Sequence, residues 1–262
     1  MKKKVLGVLL SAAMVVGLLG GCGAPAAADT TEKTDEGKTE AAAEGIAKED
    51  IKVGFVHISD PSDMGYTYNQ EIGTKEMQEA LGLEDDQIIN KYNVPEDAEC
   101  DTALRELVDA GCNIIFATSF GFEDYVKEVA AEYPEVQFCH ATGYQASDAG
   151  LDNMHNYFAS IYEARYLAGI AAGMKTESNK LGYVAAFPFA EVISGYTAFY
   201  LGAKSVNPDV TMDIMYTNSW NDPTVESQVA KALIERGCDV ISQHSDSTAP
   251  ATTAEENGVW QD

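Results

Sequence analysis

The chain has 262 residues, with 42 acidic against 17 basic side chains and a formal net charge of −25. Such a charge repels polyanions, so it excludes nucleic acid as a partner and argues against a polyanionic ligand. No two of the five cysteines have the C-x-x-C spacing, and therefore neither a zinc knuckle nor a redox motif is indicated.

The N-terminus has the pattern of a secreted lipoprotein. Three lysines precede an uncharged apolar run over residues 5–19, which is typical of a signal peptide rather than a membrane span. The tetrapeptide LGGC at 19–22 resembles a bacterial lipobox, so we predict a signal peptide over residues 1–21 and a lipidated Cys22. A diacylglycerol group together with an amide-linked acyl chain would then anchor the chain stably to a membrane. The alternative is an ordinary signal peptide that happens to contain Cys22.

Residues 22–50 predict the lipidated cysteine followed by a disordered tether. Beyond Cys22 this segment consists mainly of Ala, Thr, Glu, Asp, Lys and Gly and contains no aromatic residue. The apolar surface that this segment could bury is therefore too small to stabilise an ordered structure.

From residue 51 onward, short apolar runs alternate with helical patterns. We predict strands at 53–59, 88–94, 113–119, 136–142, 153–158, 181–187, 211–217 and 239–245. In several runs both the odd and the even positions are apolar, as expected for strands that are covered by helices on both faces. Between two of them, Cys100, Leu104, Leu107 and Val108 recur at helical spacing. This alternation predicts an α/β fold with parallel sheets and right-handed crossovers.

An internal similarity predicts two lobes of the same design. The segment LRELVDAGCNIIFATS (104–119) aligns without gaps with AKALIERGCDVISQHS (230–245). We therefore place an N-terminal lobe at 51–159 and a C-terminal lobe at 160–262, each of ordinary domain size. The alternative is that any two helix–glycine–strand units look alike, because glycine ends the helix in both.

The last residues predict the end of a helix and the start of another strand. Gly258 has the character of a helix end, and Val259-Trp260 that of a strand opening. We therefore expect the C-terminal lobe to be incomplete, with the C-terminal part of the protein missing.

The helical spacing places Cys100 on an apolar face, which favours a buried free thiol. Because an extracytoplasmic protein with an even number of cysteines also permits disulfides, both states remain open for Cys100, Cys112, Cys139 and Cys238.

Ligands of open parallel sheets bind beyond the carboxyl ends of the strands. The segments predicted at those ends are 59–69, 119–121, 140–144, 187–189, 218–223 and 245–247. They are rich in aromatic rings, hydroxyls and amides and poor in cations, which is the lining expected for a flat, uncharged ligand with polar edges.

Catalytic and metal sites are not predicted. The chain lacks the GxSxG, GxxxxGK[ST] and GxGxxG motifs, the paired-histidine spacing HxxxH and a carboxylate-rich cluster. His244, Ser245 and Asp246 have the residue types of a triad, but neighbours on a strand point to opposite faces. We therefore predict no enzyme activity, no cofactor and no metal.

Several prominent residues have a structural alternative. Trp220 would serve equally to pack between the lobes, and Asp60-Pro61 and Asp222-Pro223 have the character of a turn and a helix start. Tyr196 lies inside a helical stretch, where we expect it to pack.

An ordered set of motifs resembles the basic membrane protein family. These motifs are the lipobox, VGFVHISDPSDMGYTYNQ (53–70), NIIFATSFGF (113–122), HATGY (140–144), LGAKSVNPD (201–209), NSWNDP (218–223) and ISQHSDST (241–248). The resemblance implies a lipid-anchored extracytoplasmic receptor of an ABC importer with a type I periplasmic-binding-protein fold. Family members often bind purine nucleosides or bases between two aromatic rings and deliver them to a membrane permease.

Carried over residue by residue, the resemblance assigns the N-terminal ring to Tyr66 or Tyr68 and the C-terminal ring to Trp220. The remaining ligand contacts that it implies are Asp63, Asn69, Ser119, Phe120 and Asp246. Nearer relatives carry Gly-Trp-Thr-Tyr where this chain has Gly-Tyr-Thr-Tyr at 65–68, so the identity of the first ring differs. A sugar or autoinducer receptor on the same fold, and a surface interaction lipoprotein without a small ligand, remain alternatives.

Overall fold

The computed structural model describes residues 45–262, so the predicted signal peptide, Cys22 and most of the tether lie outside the described residues. Across this range nine strands form two sheets in which every strand pair is parallel. The strands are β1 (Val53–Val56), β2 (Ile88–Lys91), β3 (Ile114–Ala117), β4 (Gln137–Ala141), β5 (Met154–Tyr157), β6 (Lys180–Ala185), β7 (Thr211–Tyr216), β8 (Val240–His244) and β9 (Trp260–Gln261). The order is β2-β1-β3-β4-β5 in the first sheet and β7-β6-β8-β9 in the second.

Helices connect successive strands, as parallel pairing requires. They are α1 (Tyr66–Leu81), α2 (Ala98–Asp109), α3 (Glu123–Glu132), α4 (Ala146–Ala149), α5 (Ile161–Lys175), α6 (Ala190–Val206), α7 (Pro223–Glu235) and α8 (Ala249–Glu256). All eight strands expected from the apolar runs are present with somewhat shorter bounds, and the strand expected at Val259-Trp260 is β9. The predicted α/β fold with parallel sheets is thus confirmed.

The predicted helix faces form the core between helices and sheets. In α2 the side chains of Cys100, Leu104 and Leu107 are fully buried against the first sheet. In the second sheet, Leu181 and Tyr183 of β6 are fully buried. Apolar runs on both parities therefore correspond to strands that are covered on both faces.

The two similar segments fold in the same way. Gly111 follows α2 with φ of 86°, and Gly237 follows α7 with φ of 91°. A glycine adopts this left-handed conformation without the steric penalty of a Cβ atom. In both segments it lets the chain turn from the helix into the next strand.

The four cysteines within residues 45–262 are free, and Cys100 is buried, as its place on an apolar helix face favours. Burial raises the pKa of the Cys112 and Cys238 thiols to about 11, which keeps them protonated at neutral pH. In the same range no helix has both the length and the apolar composition needed to cross a bilayer.

Candidate ligand-binding site

A cavity of about 620 Å³ lies beyond the carboxyl ends of both sheets. From the first sheet it is lined by Ile58, Gly65, Tyr66, Asn69, Gln70, Thr118, Ser119, Phe120, Ala141, Thr142, Tyr157, Phe158 and Ala159. The remaining lining residues are Ile161, Arg165, Glu191, Trp220, Gln243, His244, Ser245 and Asp246. Its size falls within the ~300–1,000 Å³ of small-molecule sites, and its position follows the strand-end rule for parallel sheets.

The loop after β1 builds one wall of the cavity. Asp63 is buried, and its carboxylate accepts hydrogen bonds from the backbone N–H groups of Gly65, Thr67 and Tyr68 at 2.8–3.0 Å. These bonds satisfy free donors at the start of α1 and fix the direction of the helix. Tyr66 then lies in the cavity wall, where its hydroxyl donates to the Thr118 carbonyl at 2.6 Å.

The predicted contacts in this loop divide into two groups. Tyr66 and Asn69 line the cavity, and the Asn69 amide donates to the Gly65 carbonyl at 2.6 Å. Asp63 and Tyr68 are not among the lining residues, because Asp63 is occupied as the cap of α1 and Tyr68 is 37% exposed to solvent. Ligand contact by either of these two residues stays a prediction.

Ser119 and Phe120 occupy the wall after β3. The Ser119 carbonyl accepts a hydrogen bond from His140 Nε2 at 2.8 Å, and the Ser119 hydroxyl donates to Glu96 Oε1 at 2.6 Å. The Phe120 ring stacks on Phe189, with centroids 4.6 Å apart. Because Phe189 precedes α6, this stack joins the two sheets at the edge of the cavity.

Trp220 lies in the loop after β7, where it packs against neighbouring aromatic rings and also lines the cavity. Its ring meets Phe187 edge-on, with centroids 5.1 Å apart, and only 9% of its surface is exposed. Its indole Nε1 donates to both carboxylate oxygens of Glu96, at 3.1 and 3.2 Å. The ring is therefore held at its edge in a fixed orientation.

Asp246 follows β8 and lies close to the backbone of Gly65, which precedes α1. Its backbone N–H donates to the Trp220 carbonyl at 2.8 Å, and a Cβ atom at Gly65 would lie 1.7 Å from its carbonyl oxygen. Burial, followed by the negative charges of Asp63 and Glu226, raises the pKa of the Asp246 carboxyl well above its usual range.

The cavity is also lined by ionisable groups that were not predicted as ligand contacts. Burial raises the pKa of Glu191, in the first turn of α6, to about 7. Burial, and then the charge of Arg165, lowers the pKa of His244 to about 3, so that its ring is neutral. Arg165 Nε and His244 Nδ1 are buried and have no hydrogen-bond partner among residues 45–262.

Sequence signals existed for some of these omitted residues. Glu96 follows β2 and Tyr157 ends β5, so both lie where the strand-end rule predicts ligand contacts. Arg165 and Glu191 lie on helices, where spacing alone does not tell which turn faces a cavity.

The sequence profile described as "ABC transporter substrate-binding protein PnrA-like" matches residues 50–260. The chain belongs to this family. Its members are substrate-binding proteins of ABC transporters and not enzymes, and proteins of this kind are extracytoplasmic. Across residues 45–262, no group of three or more His, Cys, Asp or Glu side chains could hold a metal ion.

Two relatives share more than a third of the residues. A purine-binding protein of Brucella abortus is 42% identical over 215 residues, which is 81% of this chain and 59% of the relative. A putative ABC transporter glucose-binding protein of Haloferax volcanii is 38% identical over 236 residues, covering 88% of this chain and 58% of the relative. The chain thus spans somewhat under two thirds of the length of these relatives.

The fold agrees with solved structures of the same class. An ABC transporter solute-binding protein from Aeropyrum pernix superimposes with a TM-score of 0.68 at 20% identity, covering 79% of this chain and 59% of that one. At this identity the likeness concerns the fold alone. It is consistent with the type I periplasmic-binding-protein fold expected from the motifs.

Proposed function

We propose that this substrate-binding protein is a receptor for a purine nucleoside or purine base, which it holds between aromatic rings in the cavity described above. The observation that carries the proposal is that Tyr66, from the first sheet, and Trp220, from the second, line one cavity of suitable size. Rings on opposite walls can stack on both faces of a flat base, and such stacking contributes about 1–3 kcal/mol per base.

Polar groups around these rings support a neutral ligand with donors and acceptors at its edges. Asp246 and Glu191 both have raised pKa values, and Arg165 Nε and His244 Nδ1 have no hydrogen-bond partner within residues 45–262. Together they offer acceptors and donors for ring nitrogens, exocyclic groups or ribose hydroxyls. A ligand that leaves such groups unpaired would bind more weakly, which is the basis of specificity.

The proposal includes the cellular context. Cys22 would carry the lipid anchor on the extracytoplasmic face of the cell membrane, and residues 22–50 would tether two lobes at 51–159 and 160–262. The lobes would close on the ligand and deliver it to an ABC permease. The lipobox, the family membership and the name of the Brucella relative support this assignment.

A sugar is the second candidate ligand, because the Haloferax relative is named as a putative glucose-binding protein. Tryptophan also packs against sugar rings, and the acidic and amide groups of the cavity suit hydroxyls. The candidates differ in the need for a second ring, since stacking from two walls suits a flat base better than a puckered sugar.

A thermal-shift screen of the 262-residue chain with nucleosides, bases and sugars tests the proposal. Ligand binding to the folded state increases the free energy of unfolding by about 2.7 kcal/mol at a ligand concentration one hundred times the Kd. The melting temperature rises as a result. We expect shifts with adenosine, guanosine or inosine and none with glucose. A shift with glucose alone would favour the sugar receptor. No shift with any metabolite would favour an interaction lipoprotein without a small ligand.

A further inference from the structure

The side chain of Glu96 connects the two sheets at the edge of the cavity. It lies in the loop between β2 and α2, and its carboxylate accepts hydrogen bonds from the Ser119 hydroxyl at 2.6 Å and the Gly121 N–H at 2.7 Å. Both donors lie in the turn that follows β3 of the first sheet. The same carboxylate accepts from the Trp220 indole of the second sheet at 3.1 and 3.2 Å.

We infer that Glu96 is a positioning residue that fixes the orientation of Trp220 and holds the two sheets together across the cavity. We call Glu96, Ser119, Gly121 and Trp220 the clasp. The inference rests on the proposed function, in which Trp220 stacks on one face of the ligand. The clasp itself is defined by contacts within the protein.

The seat of the carboxylate is built on the first sheet and does not depend on the second. A Cβ atom at Gly121 would lie 2.5 Å from the Glu96 Cδ and 2.8 Å from its Cβ, so only glycine lets the side chain settle against the backbone there. Ser119, in turn, is held through its carbonyl by the buried His140. Glu96 is therefore oriented before Trp220 reaches it, which lowers the entropy cost of closing.

A second bond across the cleft also holds the two sheets together. Asn221, next to Trp220 in the chain, donates through its side-chain amide to the Ser59 hydroxyl at 2.8 Å. The loop after β7 is thus tied to the first sheet at two consecutive residues. If the sheets move apart, both bonds must break, whereas the bonds of Glu96 to Ser119 and Gly121 persist.

A carboxylate suits this position better than an amide. Both Glu96 oxygens receive donors, and every partner is a hydroxyl or an N–H group. Glutamine at this position would keep the shape but offer a single acceptor oxygen, and its NH₂ group would face donors. Bonds to a charged acceptor are also stronger than neutral ones. Glu96→Gln therefore weakens the clasp without creating a cavity.

The experiment compares Glu96→Gln with Glu128→Gln in the 262-residue chain. Glu128 is exposed on α3 and makes no side-chain hydrogen bond or ion pair within the described range, so its change removes the same charge and nothing else. The first readout, taken without ligand, is the pair of indole N–H resonances. We expect the Trp220 signal to shift in Glu96→Gln, the Trp260 signal to stay, and neither to move in Glu128→Gln.

The second readout is the dissociation rate of adenosine by stopped flow. Loss of the clasp should raise this rate at least tenfold in Glu96→Gln and leave association nearly unchanged. If adenosine does not bind the parent chain, the proposed function fails, while the indole resonances still test the clasp. An unshifted Trp220 resonance, or a dissociation rate equal to that of Glu128→Gln, would overturn the inference.

Trp220→Phe tests the same bond from the other side, should Glu96→Gln not fold. This change keeps an aromatic ring but removes the indole donor, so it should accelerate release of adenosine as Glu96→Gln does. Combining the two should add little, because they remove one shared interaction. Release from Trp220→Phe at the parent rate contradicts the clasp.

Discussion

Gly65 offers a direct test of whether closure of the two sheets is needed for binding. It precedes α1 and lies against the backbone of Asp246, which follows β8 of the second sheet. In Gly65→Ala the new Cβ would lie 1.7 Å from the Asp246 carbonyl oxygen and 2.7 Å from its carbonyl carbon. Carbon atoms in good contact are about 3.5–4.0 Å apart, so the two backbones must separate by roughly 1–2 Å.

Neither partner in this clash can rotate away, because both atoms that meet the new Cβ are main-chain atoms. The separation would strain the nearby bonds across the cleft, from Asn221 to Ser59 and from Trp220 to Glu96. We therefore expect Gly65→Ala to bind a purine nucleoside at least tenfold more weakly, which corresponds to about 1.4 kcal/mol. The measurement is isothermal titration calorimetry, with small-angle scattering to report the separation of the sheets.

Gly73→Ala is the matched control for this change. Gly73 lies in the same helix, and beyond the adjoining helix backbone nothing lies within 4 Å of its added Cβ. Alanine is more favourable than glycine in a helix by about 1 kcal/mol, so this variant should melt higher and bind as the parent does. If Gly65→Ala closes and binds like Gly73→Ala, the close approach of the sheets has no part in binding.

Three further predictions follow from the cavity. Trp220→Ala should weaken nucleoside binding at least tenfold in calorimetry, because it removes about 1–3 kcal/mol of stacking. Equal affinities of mutant and parent would contradict the proposal that the base stacks between two aromatic rings. Tyr66→Ala should lose more affinity than Tyr196→Ala, since Tyr66 lines the cavity and Tyr196 does not; the reverse order in the same titration would contradict the site. Glu191, with its pKa raised from 4.5 to about 7, contributes stability that is complete below pH 4.5 and lost as pH rises through 7. The melting temperatures of parent and Glu191→Gln without ligand should therefore converge below pH 4.5, with the variant a few degrees higher above pH 7; an equal difference at every pH would contradict this pKa shift.

The fold could be read from the sequence because its signals are local and repeated. Apolar runs on both parities identify covered parallel strands, and Gly111 and Gly237 mark the same turn in both halves. The strand-end rule then places Tyr66, Ser119 and Trp220 near one cavity without any tertiary information. The family motifs add the roles of the rings, which periodicity alone does not supply.

The remaining features of the site depend on contacts between residues far apart in the chain. Glu96 and Trp220 are 124 positions apart, and no spacing pattern announces their bond. The motifs imply a ligand contact for Asp63, which stays a prediction, while the structure shows its carboxylate capping α1 through the N–H groups of residues 65, 67 and 68. Capping chemistry at Asp-Met-Gly-Tyr favours this role, since aspartate is a preferred residue before a helix.

The central claim is that the cavity between the sheets binds a purine between rings from opposite walls. Calorimetric titration of the 262-residue chain with adenosine, repeated in the presence of excess glucose, tests it most directly. The account predicts saturable binding of one adenosine per chain that glucose does not displace. Saturable binding of glucose with no heat from adenosine, guanosine or inosine would contradict it.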